Sequence, residues 1–137
     1  MNREEQVPEQ LDKVRREYLK WSPMGKGPKI VCLCGSTRFS EEFRQANLRE
    51  TLAGHIVLTI GVDTKSDADL LLAGDLTLAD KERLDGLHLR KIDLADEVVI
   101  LNVNGYVGES TQHEIEYARV QGKPIRWLEP EHAWNGE

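Results

Sequence analysis

Four short apolar segments recur along the chain, separated by longer stretches of mixed character. They read KIVCLC, HIVLTI, EVVILNV and PIRWL, at residues 29–34, 55–60, 97–103 and 124–128. Each segment predicts a β-strand. The first is apolar on both faces, which is typical of a strand buried inside a parallel sheet.

Helices are predicted in the stretches between these strands. The first covers residues 41–52, with Ser40 as its N-cap and Gly54 at its end. The other two cover residues 78–94 and 111–121. Strands and helices therefore alternate along most of the chain.

This alternation predicts an α/β fold in which helices cover both faces of a parallel sheet, as in flavodoxin-like and Rossmann-like proteins. Right-handed crossovers and one switch point give the four strands the spatial order 2-1-3-4, with room for an extra edge strand. Residues 61–80 are less regular and rich in Asp, Leu and Gly, and we expect a mobile segment or a short helix there.

An amphipathic helix is predicted ahead of this domain. Its apolar face consists of residues spaced by three or four positions, namely Val7, Leu11, Val14, Tyr18 and Trp21. Proline and glycine residues within 22–28 break this helix. We therefore divide the chain into a helix and linker over residues 1–28 and an α/β domain over 29–137. The helix could pack on its own domain or on a second subunit.

Composition and charge narrow the classes of partner. The chain has 137 residues and a formal net charge of −6, so no basic field attracts a nucleic-acid polymer or an anionic membrane. Any bound phosphate must be held by local donors. The N-terminus lacks the apolar core of a signal peptide and no segment is long enough to span a membrane, so we expect a cytoplasmic protein.

The chain contains two cysteines, Cys32 and Cys34, one residue apart. In a strand they share one face, which is a poor arrangement for a disulfide. Two thiols are also too few ligands for a zinc site. We interpret them as small buried apolar residues and expect no metal.

A candidate binding loop, Gly35-Ser36-Thr37-Arg38, follows the first strand directly. Ligands of parallel α/β sheets bind beyond the carboxyl ends of the strands, where this loop lies. Gly35 permits a close backbone approach, Ser36 and Thr37 offer hydroxyls and amides, and Arg38 can hold a phosphate with two hydrogen bonds. The alternative is a tight turn with a solvated arginine.

A second candidate loop follows the third strand and leads into a helix at Thr111. Glu114 has two interpretations there. Thr111 and Glu114 have the spacing of a capping box, in which the glutamate only binds the backbone at the start of the helix. A carboxylate in the first turn could also reach a sugar in the crevice, kept ionised by neighbouring donors. Ionised carboxylates are the nucleophiles of glycosidic chemistry.

Three segments resemble the nucleoside 2-deoxyribosyltransferase superfamily, which includes the small nucleoside-monophosphate N-glycosidases. They are CGSTRF after the first strand, LHLRKIDLADEVVILN in the middle, and GYVGESTQHEIEYARVQGKP near the end. The likeness covers residues 30–128. It implies cleavage or transfer at the N-glycosidic bond of a nucleoside or nucleoside 5′-monophosphate.

The resemblance also implies roles for individual residues. Glu114 matches the family's nucleophilic glutamate, which forms a glycosyl-enzyme intermediate that water or a second base resolves. Gly35, Ser36 and Arg38 match its substrate-binding loop. Gly108 and Ser110 match the loop in which phosphate-preferring members hold the 5′-phosphate. The family uses no metal or cofactor, and the likeness implies a homodimer or higher homo-oligomer.

One position departs from the family pattern. His88 stands where the family commonly has an aspartate that assists the leaving base or the sugar hydroxyl. Histidine can protonate a leaving base, because its pKa is near neutral. The alternative is a hydrogen-bonded core histidine, because His88 lies four residues from both Leu84 and Ile92 and so points towards the covered side of its helix. Asp85, Asp93 and Asp96 are possible substitutes for the missing aspartate.

Two other functions compete with the N-glycosidase. A non-catalytic nucleotide-binding module on the same fold is favoured by the His88 departure and the short chain. A phosphoribohydrolase of the cytokinin-activating type is less favoured, because GYVGESTQHE matches the PGGxGTxxE signature of that class only loosely.

Overall fold

The computed structural model describes residues 3–18, 27–61 and 67–136 of the chain. Its helices are α1 (Arg3–Tyr18), α2 (Ser40–Leu52), α3 (Asp67–Leu72), α4 (Leu78–Leu94) and α5 (Glu109–Val120), with short 3₁₀ turns at Val103–Gly105 and Pro130–His132. Its strands are β1 (Ile30–Cys34), β2 (Ile56–Leu58), β3 (Glu97–Ile100) and β4 (Ile125–Trp127).

The four strands form one parallel sheet in the order β2-β1-β3-β4. The predicted fold class and strand order are therefore confirmed. The described residues form no fifth strand, so the allowance for an extra edge strand is not used there. Because β1 and β3 are the two central strands, the loops that follow them meet at the switch point of the sheet.

Helices pack on both faces of the sheet, and β1 supplies buried side chains to each. On one face, Cys32 and Cys34 pack with residues of α4 and α5, including Ile92 and Ile115. On the other face, Val31 and Leu33 pack against α2 through Phe43 and Ala46. The strand is buried on both sides, as its apolar sequence predicts.

Two helix starts differ from the sequence-based prediction. Phe39 is the N-cap of α2 and Ser40 is its first residue, so the assignment of Ser40 as N-cap is wrong. The last predicted helix begins two residues earlier than expected, at Glu109 after the N-cap Gly108. Thr111 is therefore inside α5, and the capping-box interpretation of Glu114 is wrong.

The remaining predictions concern the flanking segments. The short helix expected within residues 61–80 is α3, and residues 62–66 lie outside the described part. Leu11 and Val14 of α1 remain about half exposed. Trp21 and most of the linker also lie outside the described residues. Among the helices that are described, none has the length and apolarity to cross a membrane.

Candidate active site

A cleft of about 360 Å³ opens beyond the carboxyl ends of β1 and β3. This volume is within the range of small-molecule sites in proteins. All eight residues proposed from the sequence line it, although they come from three separate parts of the chain. They are Gly35, Ser36, Thr37, Arg38, His88, Gly108, Ser110 and Glu114.

The loop after β1 is held close to the end of the neighbouring strand. A Cβ atom at Gly35 would lie 3.1 Å from Leu101 Cβ and 3.3 Å from the Leu101 carbonyl oxygen, so the turn has little room for a side chain. The hydroxyl of Ser36 accepts a 3.3 Å hydrogen bond from the Arg38 amide. The guanidinium of Arg38 lies 4.4 Å from the centre of the Tyr106 ring. This contact joins the first loop to the second.

The loop after β3 is fixed by Asn102, which is completely buried. Its side-chain nitrogen donates to the carbonyls of Glu129 and His132, at 2.9 and 3.1 Å, and its oxygen accepts from the Glu129 amide. Asn104 and Gly105 then reverse the chain with φ values of 55° and 79°. The segment after β4 thus supports the approach to α5.

The start of α5 faces the cleft. Its N-cap is Gly108, which has no side chain to cap the first amides, and Glu109, Ser110 and Thr111 line the cleft. Free amides at a helix N-terminus attract anions. The hydroxyl of Ser110 also accepts a 3.3 Å hydrogen bond from Lys81 Nζ of α4.

Helix α4 contributes cationic residues that the sequence did not single out. Lys81 donates a 2.6 Å hydrogen bond to Asp85, and Lys91 donates one of 2.6 Å to the Thr59 carbonyl. Both lysines line the cleft. The sequence places both lysines on a predicted helix. It does not show which side of that helix faces the cleft, because this depends on how α4 packs on the sheet.

A buried cluster of four ionisable side chains lies at the base of the cleft. We call Cys32, Cys34, His88 and Glu114 the basal cluster. His88 Nε2 lies 3.6 Å from Cys32 Sγ and 3.3 Å from Cys34 Sγ. The prediction that His88 points to the covered side of α4 is confirmed. The two thiols are buried, as predicted, but they are polar partners of His88.

Glu114 is in the second turn of α5 and is largely buried. Burial raises its pKa to about 7, against the opposing effects of the His88 charge and a hydrogen bond with Cys34. The expectation that neighbouring donors keep this carboxylate fully ionised is therefore wrong. Among the described residues, Glu114 Oε2 is the one buried side-chain polar atom without a hydrogen-bond partner.

The other members of the basal cluster also titrate abnormally. The hydrogen bond from the Cys34 thiol, helped by His88, lowers the pKa of Cys32 to about 6. Burial raises the pKa of Cys34. Burial alone would lower the pKa of His88, but the hydrogen bond with Cys32 and the charge of Glu114 raise it. The proton affinity of each group in the basal cluster therefore depends on the charges of the others.

Three aspartates were possible substitutes for the family aspartate that His88 replaces. Of these, Asp85 lines the cleft. Asp93 instead accepts a hydrogen bond from the Tyr117 hydroxyl and another from Arg90, both 2.6 Å long. Asp96 accepts from the Ile30 amide at the amino end of β1. These two aspartates have structural partners and lie away from the cleft.

Comparisons with protein-family models, with curated proteins and with solved structures gave no match. The function of the protein must therefore be inferred from the residues of the cleft.

Proposed function

We propose that this protein cleaves or transfers at the N-glycosidic bond of a nucleoside or nucleoside 5′-monophosphate, with Glu114 as the nucleophile. The observation that carries the proposal is the unpartnered, buried Oε2 of Glu114 in the wall of a cleft of ligand size. A buried carboxylate oxygen without a partner is costly, and a substrate atom that meets it explains why it is kept.

The chemistry needs an ionised Glu114. With a pKa of about 7, roughly half of the carboxyl groups are ionised at neutral pH, and burial leaves the carboxylate poorly solvated. Oε2 attacks the anomeric carbon and forms a C–O bond while the C–N bond breaks. The base leaves with the bonding electrons, and water or a second base then displaces Glu114 with overall retention.

The departing base needs a proton, and two groups in the cleft can supply it. Burial lowers the pKa of His88, but the hydrogen bond with Cys32 and the charge of Glu114 raise it overall. Its Nε2 is engaged by the thiols, so Nδ1 is the nitrogen left to act. Asp85 lines the same cleft and is joined to Lys81. We assign the proton delivery to His88 and a sugar-binding role to Asp85.

The opposite end of the cleft suits a 5′-phosphate. The amides at the start of α5 and the Ser110 hydroxyl offer hydrogen bonds, and Arg38 and Lys81 offer positive charge. Arg38 is held next to this loop by its contact with Tyr106. We therefore propose that monophosphates are preferred to nucleosides, and that no metal or cofactor takes part in the reaction.

A panel of nucleosides and 5′-monophosphates, incubated with and without an acceptor base and analysed by chromatography, tests the reaction. We expect free base or an exchanged nucleoside. Glu114→Gln should abolish turnover by orders of magnitude and leave substrate binding intact. Glu116→Gln, an exposed position of the same helix, is the matched control. A Glu114→Gln protein that releases base at the normal rate would show that the nucleophile is wrong.

The raised pKa of Glu114 also favours a second function, a non-catalytic nucleotide-binding module. A protonated carboxyl can donate a hydrogen bond to a base without attacking a sugar. The same panel separates the two functions. Tight binding of a nucleotide that stays intact after long incubation supports the module.

We also propose a cytoplasmic homodimer or higher homo-oligomer, in which a neighbouring subunit helps to close the cleft. The half-exposed Leu11 and Val14 of α1 offer apolar surface for this contact. Light scattering at micromolar concentration measures the assembly directly, and a monomer would contradict it.

A further inference from the structure

The basal cluster has the chemistry of a metal site as well as that of a nucleophile. The two Sγ atoms and His88 Nε2 all lie within 4.8 Å of one another. They come from neighbouring positions of β1 and from α4, two elements that pack tightly in the core. The ligand atoms are therefore held by rigid elements, as in stable metal sites.

The distances match those between ligands of one tetrahedral zinc ion. With Zn–S near 2.3 Å and Zn–N near 2.0 Å, a tetrahedral angle separates sulfur from nitrogen by about 3.5 Å. The observed separations are 3.3 and 3.6 Å. An ion can thus contact all three ligands without a large movement of the backbone.

Glu114 lies beside these three ligands, and a water molecule completes the coordination of an ion. Its carboxyl is hydrogen-bonded with Cys34 and interacts with the charge of His88, so it is adjacent to both. Its Oε2 has no hydrogen-bond partner among the described residues and can accept one from a water molecule bound to the ion. Because His88 and Glu114 line the open cleft while the cysteines lie behind them, an ion can enter through the cleft.

We propose that Cys32, Cys34 and His88 bind a thiophilic divalent cation, and that Zn²⁺ is the ion this donor set fits best. Thiolate and imidazole ligands favour zinc over magnesium or calcium, which bind oxygen. Binding requires both thiols to be deprotonated and His88 Nε2 to carry no proton, so any protons on these three groups are released to solvent.

This site has a consequence for catalysis, which rests on the proposed function. An ion bound to Cys32, Cys34 and His88 occupies His88 Nε2 and prevents this residue from carrying the proton for the leaving base, and its positive charge attracts the neighbouring Glu114 carboxylate. Zinc should therefore inhibit the glycosidase. Zinc would thus inhibit the reaction from a site next to the catalytic carboxylate.

A cobalt titration tests metal binding without any assay of activity. The full chain, reduced and freed of metal with a chelator, is titrated with Co²⁺ and followed by absorbance. We expect one ion per chain, a thiolate-to-cobalt charge-transfer band and visible bands of tetrahedral intensity, all removed by stoichiometric Zn²⁺. Binding without a charge-transfer band, or no binding at all, overturns the proposal.

Substitutions identify the ligands. Cys34→Ser and His88→Gln should weaken Zn²⁺ affinity by more than the roughly 10–100-fold that follows loss of an outer partner. Circular dichroism checks that each variant is folded. If a variant does not fold, the cobalt titration of the unmodified protein still tests the proposal. His132→Gln is the control, because Glu129, Glu131 and His132 form an exposed cluster that could also hold an ion. Loss of the cobalt signal in His132→Gln, with retention in Cys34→Ser, refutes the basal site.

The two proposals fail separately. Base release measured in the presence of a chelator reports the glycosidase, and the cobalt spectrum reports the metal site. If the spectrum appears but no base is ever released, the metal site stands and the proposed function falls. If base is released and zinc neither binds nor inhibits, the reverse holds.

Discussion

Removal of the Glu114 charge should change the stability of the protein by an amount that becomes more favourable as pH rises. Folding raises the pKa of this carboxyl from 4.5 to about 7, mainly by burial. Between those values the native state binds more protons than the unfolded chain, so native stability falls as pH rises. Above pH 7 the loss is complete, at about 3 kcal/mol given about 1.4 kcal/mol for each tenfold change.

Glu114→Gln removes this pH-dependent loss because glutamine does not ionise. Its amide brings a constant penalty of about 1–3 kcal/mol if one of its groups stays unpaired, and that penalty is the same at every pH. The informative quantity is therefore the change with pH. Relative to the unmodified protein, the variant should gain about 2 kcal/mol of unfolding free energy between pH 5.5 and 8.5.

Urea unfolding followed by circular dichroism at several pH values measures this difference. Cys32 and His88 titrate in both proteins, so the comparison isolates the carboxyl to a first approximation. Glu116→Gln, on the exposed side of α5, should show no such trend. A stability difference between Glu114→Gln and the unmodified protein that stays constant from pH 5.5 to 8.5 would refute the buried, proton-binding carboxyl.

Three further outcomes follow from the structure. If Glu114 attacks as the carboxylate, kcat/KM for base release should rise as pH approaches about 7, where this group ionises, and fall again at higher pH as His88 loses the proton it delivers; a profile without the rising limb contradicts the role of Glu114. Arg38→Ala should weaken binding of a 5′-monophosphate by roughly ten- to a hundred-fold and leave nucleoside binding unchanged. Calorimetry measures both affinities. Equal losses for the two ligands would show that Arg38 does not contact the phosphate. Arg126→Ala should lower the unfolding free energy by about 1–3 kcal/mol, since it leaves the buried Glu50 without the two hydrogen bonds that the partly exposed Arg126 donates. A loss near zero in urea unfolding would show that His55 and Arg49 are enough to support Glu50.

The sheet could be predicted from the sequence because its signals are local. Each apolar segment identifies its own strand, and the handedness of crossovers then limits the strand order. The helix over residues 78–94 was predicted with the bounds of α4, and the structure shows a capping box of Thr77 and Asp80 at its start. The start of α5 was misplaced because Gly108, which carries no side chain, is its N-cap, so the pattern at Thr111 and Glu114 only resembled a cap.

The environment of the candidate site could be predicted only in part. The shared face of Cys32 and Cys34 and the inward direction of His88 each followed from the period of one element. Their meeting with Glu114 did not, because it depends on how α4 and α5 pack over β1. The pKa of Glu114 depends on that packing as well, since burial is its main cause.

Asn102 gives the molecule a mechanical property that follows from its hydrogen bonds. One side chain ties the turn before α5 to the segment after β4, with the Asn104 amide bound to the Glu129 carboxylate alongside. These two segments should therefore open and close as one cooperative unit, and their backbone amides should exchange with solvent deuterium at linked rates. A fluctuation that frees Glu129 would at the same moment loosen the turn that leads into α5. Order in the cleft therefore depends on the segment that follows β4.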